Sequence, residues 1–181
     1  MTKPVLKQLE PDDSLNGFDC GDPEVNEYLT RDGMDQQRRR YTRIYVVCLE
    51  NRVIAYSALA CYHLFMHLPD DETISHRVPG IILGQLGVHR EYQGKGLGYF
   101  LIDHAISVGN KISESAACRI LFAEAHDDKM GYYSNQDFEY VTETKSGLKV
   151  MCYDLEKSRE RRSDDLPASD MDLLSVDNGL D

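Results

Sequence analysis

An apolar run, Ile81-Ile82-Leu83-Gly84-Gln85-Leu86-Gly87-Val88, is followed five residues later by Gln93-Gly94-Lys95-Gly96-Leu97-Gly98, and a helical pattern starts at about Leu97. Strand, three glycines in five positions, then helix is how a chain builds an anion-binding nest. Glycine permits close backbone approach, and the first-turn amides and the helix dipole face the anion. The spacing departs from Gly-x-x-x-x-Gly-Lys-Ser/Thr and from Gly-x-Gly-x-x-Gly, so neither a P-loop nor a dinucleotide fingerprint is present.

The rest of the chain has to build one core around that unit. A length of 181 residues suits a single domain. The longest apolar stretch, around Ala58 to Met66, includes His63 and falls far short of the ~20 residues of a membrane helix. Met1-Thr2-Lys3-Pro4 has no basic-then-apolar pattern, so no secretory signal is expected and the compartment expected is the cytoplasm. Cys20, Cys48, Cys61, Cys118 and Cys152 are odd in number and scattered, without a Cys-x-x-Cys pair. Three of them fall in predicted strands, where cysteine acts as a small buried hydrophobe. No His-x-x-x-His pair falls on a predicted helix, so no metal is expected.

Net charge is −11. From Ser158 onward, three arginines stand against seven acidic residues, and the preceding body is acidic as well. That excludes a generally basic nucleic-acid binder; a polyanionic partner would need a local positive patch.

Along the chain, Val5–Leu9 suits a first strand. Asp22-Pro23-Glu24 suits an N-cap, first position and acidic first turn, with Val25 and Leu29 as the buried stripe. Residues 44–49 and about 53–62 form a predicted hairpin around Glu50-Asn51-Arg52. His67–Gly80, with two prolines and several acids, reads as a loop. After the glycine loop, Leu97, Leu101, Ala105 and Val108 occupy one helix face, and Phe100, Ile102 and Ile106 another, so that helix is expected to be buried. Arg119–Ala125 is the next strand and Asp127–Asn135 a short helix. Phe138–Val141 and Val150–Leu155 make a terminal pair. Residues 1–157 are thus the expected domain and 158–181 an acidic, disordered tail. Within that tail, Met171–Val176 is either a docking segment or a solvated end.

Gln93, Gly96 and Gly98 match Gln/Arg-x-x-Gly-x-Gly/Ala, and the chain resembles the GNAT (Gcn5-related) N-acetyltransferases in this loop. Downstream, Tyr132-Tyr133-Ser134-Asn135-Gln136-Asp137-Phe138 is similar to the family's Phe-Tyr-x-x-x-Gly-Phe. Upstream, Phe18-Asp19-Cys20-Gly21, a short helix, Tyr45-Val46-Val47 and Ala55–Leu59 resemble the bacterial GNAT toxins of toxin–antitoxin pairs. The similarity spans about Ser14 to Leu155. It implies an α/β (α+β) GNAT fold: one mixed sheet, helices on both faces and a V-shaped cofactor cleft between two central parallel strands.

The resemblance also implies roles. Gln93, Gly94, Lys95, Gly96, Leu97 and Gly98 would hold the pyrophosphate of acetyl-CoA, with Lys95 adding charge beside a phosphate. Leu86 and Val88 would hydrogen-bond the pantetheine arm through their backbone, while Gly87 marks either a close approach or a bulge. Tyr133 would donate to the leaving thiolate, with Tyr132 in a packing role. Asp137 replaces the family's glycine, where positive φ is often required, and aspartate tolerates that conformation better than most residues.

Glu124 is the candidate general base, beside His89 and His126 at strand ends, where a lone histidine is usually solvated. A base is needed more for a lysine amine, whose deprotonation at pH 7 costs roughly 4–5 kcal/mol, than for an α-amine at about 1 kcal/mol. The lack of an obvious base therefore favours an α-amine. Arg38, Arg39, Arg40 and Arg43 cluster where the first helix ends and the hairpin begins. In the toxin branch such a patch grips tRNA; otherwise it is a solvated helix end. The implied activity is acetylation of aminoacyl-tRNA by a toxin silenced by a ribbon-helix-helix antitoxin. The alternatives are a protein amine or small polyamine as acceptor, or a catalytically silent binding scaffold. A monomer and a homodimer both suit the sequence.

Overall fold

A computed structural model describes residues 3–68 and 71–157; the tail from 158, with its Met171–Val176 segment, lies outside the described residues. Seven strands form one mixed sheet: β1 (Val5–Gln8), β2 (Arg43–Leu49), β3 (Arg52–Leu68), β4 (Asp71–Val88), β5 (Ile120–Ala125), β6 (Glu139–Glu143) and β7 (Lys149–Asp154), in the order β1-β2-β3-β4-β5-β7-β6. All neighbours are antiparallel except β4 and β5. The terminal pair is ordered differently from its sequence: β7, not β6, lies against β5.

Four helices accompany the sheet: α1 (Pro23–Glu27), α2 (Gly33–Arg38), α3 (Leu97–Ser113) and α4 (Met130–Ser134). Asp22 caps α1 by accepting from the amides of Glu24 and Val25. A π-helical stretch, Tyr28–Asp32, separates α1 from α2 and carries the buried Leu29. Leu29 packs with Ile44, Val46, Tyr56 and Ala58 on one sheet face. Ile102, Ala105 and Ile106 of α3 pack with Leu83, Leu121 and Ala123 on the other. Alternation along β2, β3 and β5 thus supplies both faces of the sheet with apolar side chains. The β2–β3 loop has positive φ at both Glu50 (50°) and Asn51 (67°), the conformation of a two-residue hairpin whose twist matches its strands.

The expected loop over His67–Gly80 is instead an extension of the sheet. β3 and β4 continue as a long antiparallel arm in which Leu64 faces Val78 and Phe65 faces Arg77. Leu64, Met66 and Val78 pack against Ile120, Phe122, Val150 and Cys152, and that burial overrides the local turn chemistry. Pro79 is accommodated because β4 has a strand neighbour on one side only until β5 joins at Gly80. Cys48, Cys118 and Cys152 are buried, but Cys61, on the arm, is exposed, contrary to the expectation for strand cysteines.

Candidate active site

β4 and β5 pair over only three residues each, Gly80–Ile82 with Ile120–Phe122. At Gly80 the strands are so close that a β-carbon would lie 2.3 Å from the Ile120 carbonyl oxygen. Two residues past Ile82 the register slips: Leu59 pairs Leu83 and Ala58 pairs Gln85, leaving Gly84 as a bulge. Beyond the bulge β4 stays with β3 as far as Val88, whereas β5 continues along β7. The two strands diverge, and β4 from Leu83 to Val88 has no strand partner on the β5 side. The bulge is therefore at Gly84 and not at Gly87. Gly87 serves close packing, since a β-carbon there would meet Tyr56 at 2.8 Å and Val25 at 3.0 Å.

The resulting V opens into a cleft of about 960 Å³ whose lining includes Leu86, Val88, the glycine loop, Glu124, Tyr132 and Tyr133. At its head, Gly94 (φ 71°) and Gly96 (φ 82°) adopt left-handed conformations that turn the loop into α3. Phe100 is the first helical amide with an acceptor, the Gly96 carbonyl at 2.9 Å. Among the described residues, the six amides from Gly94 to Tyr99 have no acceptor within the chain. Six free donors at a helix N-terminus suit a diphosphate and offer an apolar group nothing. A β-carbon on Gly98 would lie 2.1 Å from the Tyr132 hydroxyl, so the tyrosine closes that side of the cradle and leaves no room for a side chain on the loop.

Two loop side chains are engaged with the fold. Gln93 spends its carboxamide on the fold: Nε2 donates to the carbonyls of Cys20 (2.7 Å) and Val88 (2.9 Å). The Lys95 ammonium donates to the Glu91 carbonyl at 2.9 Å and lies 5.0 Å from the Tyr92 ring centroid, so it is held back from the cleft. The loop is fastened to the Phe18–Gly21 segment by Gln93 and by Arg90, whose amide bonds the Asp19 carbonyl and whose Nε lies 3.1 Å from its carboxylate.

His89 is a structural hub, not a solvated strand end. It is buried; its amide donates to the Ile54 carbonyl, and Nδ1 accepts from the Glu91 amide. Nε2 lies 3.0 Å from the Gly17 carbonyl oxygen and 2.9 Å from Arg52 Nη2. A ring so engaged cannot reach a substrate. His126 does line the cleft, exposed at the end of β5. Glu124 is exposed on β5 opposite Val150 and also lines the cleft.

Tyr133 is buried on α4 at the cleft wall, and burial pushes its phenol up to about 12. It therefore keeps its proton throughout the physiological range. Tyr132 stacks on Tyr99 with ring centroids 4.9 Å apart and meets Tyr133 edge-on at 5.5 Å. Burial also raises the Tyr132 phenol. Asp137 has φ 62°, the left-handed conformation inferred from its place in the motif, and the turn is closed by the Phe138 amide on the Tyr133 carbonyl.

The arginine cluster lies apart from the cleft lining. Arg38 ends α2; Arg39 pairs with Asp35 at 2.8 Å; Arg40 turns the chain at φ 60°; and Arg43 opens β2, bonded to Gln8 at 3.1 Å. Arg38 and Arg40 are exposed and form no ion pair among the described residues.

Sequence reasoning missed Gln85. It lines the cleft on the unpaired part of β4, inside an apolar run that drew attention only for its backbone. A lone polar residue between Leu83 and Leu86 was the available signal.

A wedge between parallel strands, headed by a diphosphate cradle and walled by a protonated phenol, defines an acyltransferase cleft of the coenzyme A-using class. The acetyltransferase (GNAT) family matches residues 7–138, and the chain belongs to that family. It is 28% identical over 143 residues to a tRNA-acetylating toxin of Mycobacterium tuberculosis (strain ATCC 25618 / H37Rv), covering 74% of this chain and 82% of that one. Its fold is similar to that of AtaT complexed with acetyl-methionyl-tRNAfMet: TM-score 0.80, 23% identity, 88% of this chain and 99% of that chain. It is also similar to AtaTR bound with AcCoA: TM-score 0.74, 24% identity, 88% of this chain and 98% of that chain. No helix among the described residues is long and apolar enough to cross a membrane.

Proposed function

We propose that this acetyltransferase uses acetyl-CoA to acetylate the α-amine of aminoacyl-tRNA, acting in the cytoplasm as a toxin that blocks translation. The observation that carries the reading is the unpaired edge of β4, which leads from the free amides of the glycine loop toward Tyr133. The tRNA-acetylating relative and the AtaT structures support the acceptor. Residues 1–157 form the catalytic domain in this reading. A ribbon-helix-helix antitoxin is the partner in this reading, and the AtaT toxin is likewise bound by an antitoxin, AtaR.

Acetyl-CoA supplies the thioester. The amides of Gly94 to Gly98 hold its diphosphate, and the backbone of Leu86 and Val88 holds the pantetheine arm as an added strand would. Tyr133 provides the proton that the departing thiolate takes up. A phenol held at about 12 remains protonated until that charge develops. Glu124 receives the proton the amine loses, and an α-amine asks little of it. Arg38, Arg39, Arg40 and Arg43 contact phosphates of the tRNA, giving salt-sensitive affinity on an acidic protein.

Mass spectrometry of total tRNA after induced expression tests this directly. Acetylated aminoacyl ends are expected, and unmodified charged tRNA would overturn the reading. A small polyamine or protein amine is the second acceptor, because Asp22, Glu24, Glu124 and Asp128 also line the cleft and attract cations.

A further inference from the structure

Ile82 and Phe122 are the last paired residues of the two parallel strands, and both belong to the cluster on the face away from α3. On β5, Ala123 returns to the α3 side, so Glu124 shares the face of Phe122. On β4, Leu83 and Leu86 both pack on the α3 side, with two residues between them. The Gly84 bulge accounts for the extra one. Gln85, opposite Ala58 of the α1-side cluster, consequently takes the face and level that Gly84 would have had in a regular strand. The bulge thus sets Gln85 level with Glu124 across the open V, on the face opposite to α3 and Tyr133.

Both side chains line the cleft, and neither has a hydrogen bond or ion pair to a described residue. One is a neutral acceptor and donor, the other a carboxylate, and the strands beneath them have separated. This is a seat for a group that carries positive charge and several N–H donors.

We infer that Gln85 and Glu124 together seat the acceptor's primary amine, a proposal that rests on the acetyltransferase reading above. The Gln85 carboxamide oxygen accepts one N–H and fixes the direction of the lone pair. Glu124 holds the ammonium and takes its proton. The nitrogen then forms its bond to the acetyl carbon, the carbon–sulfur bond breaks, the thiolate takes the Tyr133 proton, and the second proton shed by the nitrogen passes through water to restore the Tyr133 phenol. The seat selects primary amines that arrive protonated; hydroxyl acceptors bring no positive charge to Glu124.

The test uses the full chain with acetyl-CoA and two acceptors, an aminoacyl-tRNA and spermidine. Q85A is expected to raise the KM for the acceptor at least tenfold, with acetyl-CoA affinity by calorimetry within twofold of wild type. Q85E adds a second carboxylate that stabilises the bound ammonium, so the acidic limb of the kcat profile should move to higher pH. An unchanged acceptor KM in Q85A, or an unmoved limb in the isosteric Q85E, overturns the proposal. Should Q85A lose acetyl-CoA binding through misfolding, Q85E decides. Wild-type turnover of spermidine but not of charged tRNA would refute the tRNA reading while leaving Gln85 to be judged on spermidine.

Discussion

The hydroxyl of Tyr132 stands 2.1 Å from the point where a β-carbon on Gly98 would lie. One residue belongs to α4 and the other to the first turn of α3, so this contact fixes how closely the tyrosine pair approaches the phosphate cradle. G98A should therefore push the Tyr132 ring off its stack on Tyr99 and weaken acetyl-CoA binding roughly tenfold or more, about 1.4 kcal/mol. Adding Y132F removes the clashing oxygen and should recover most of the loss. Calorimetry on the single and double variants measures both effects.

Tyr133 keeps its phenolic proton because burial opposes the phenolate. Y133F retains the ring but removes the donor. Acetyl transfer should fall by ~100- to 10,000-fold, with acetyl-CoA affinity and melting temperature little changed. Single-turnover acetyl transfer is the measurement, and full activity in Y133F would remove this residue from the chemistry.

His104 on α3 packs edge-on against Tyr45 with centroids 4.3 Å apart, and its buried Nδ1 has no hydrogen-bond partner among the described residues. Burial lowers its pKa from 6.5 to about 4, helped by the positive charge of Lys111. Between those values the unfolded chain binds the proton and the folded one does not, so stability falls as pH drops through that window and levels off below it. Allowing for solvent screening of a part-exposed ring, about 1–2 kcal/mol should be lost between pH 7 and pH 5. H104F keeps the ring on Tyr45 and should lose that share of the pH dependence in urea unfolding.

Gly80 begins the short parallel pairing that holds the apex of the V. G80A would drive a methyl into the Ile120 carbonyl, which is backbone and cannot turn away. Destabilisation of about 1–3 kcal/mol is expected, a fall of roughly 3–10 °C in melting temperature. Thermal unfolding followed by circular dichroism would show it, and an unchanged midpoint would mean the strands can part at no cost.

Arg38, Arg39 and Arg40 lie outside the cleft lining. Reversing all three to Glu should cut tRNA use steeply and reduce the salt slope of tRNA binding by about 2–3, while acetyl-CoA affinity holds. Equal loss of both affinities would indicate misfolding.

Much of the site was legible locally. The left-handed turn at Asp137, the N-cap at Asp22 and the two-residue turn at Glu50-Asn51 are demands of the backbone on adjacent residues, so composition at those positions announces them. The glycine loop is of the same kind. The role of His89 is not local, because its partners, Gly17 and Arg52, lie 72 and 37 positions away in the chain. In the β3–β4 arm, Pro79 and the neighbouring acids favour turns, whereas apolar contact with β5 and β7 holds the segment extended.

Glycine spacing and hydrophobic period act over neighbouring residues, so the strand, glycine loop and helix can be read directly from the residues. Long-range packing sets where β4 and β5 part, the bulge at Gly84 and the level of Gln85 with Glu124. Those features depend on which strands pair and where pairing stops, a balance of packing between segments some forty residues apart that no local pattern encodes.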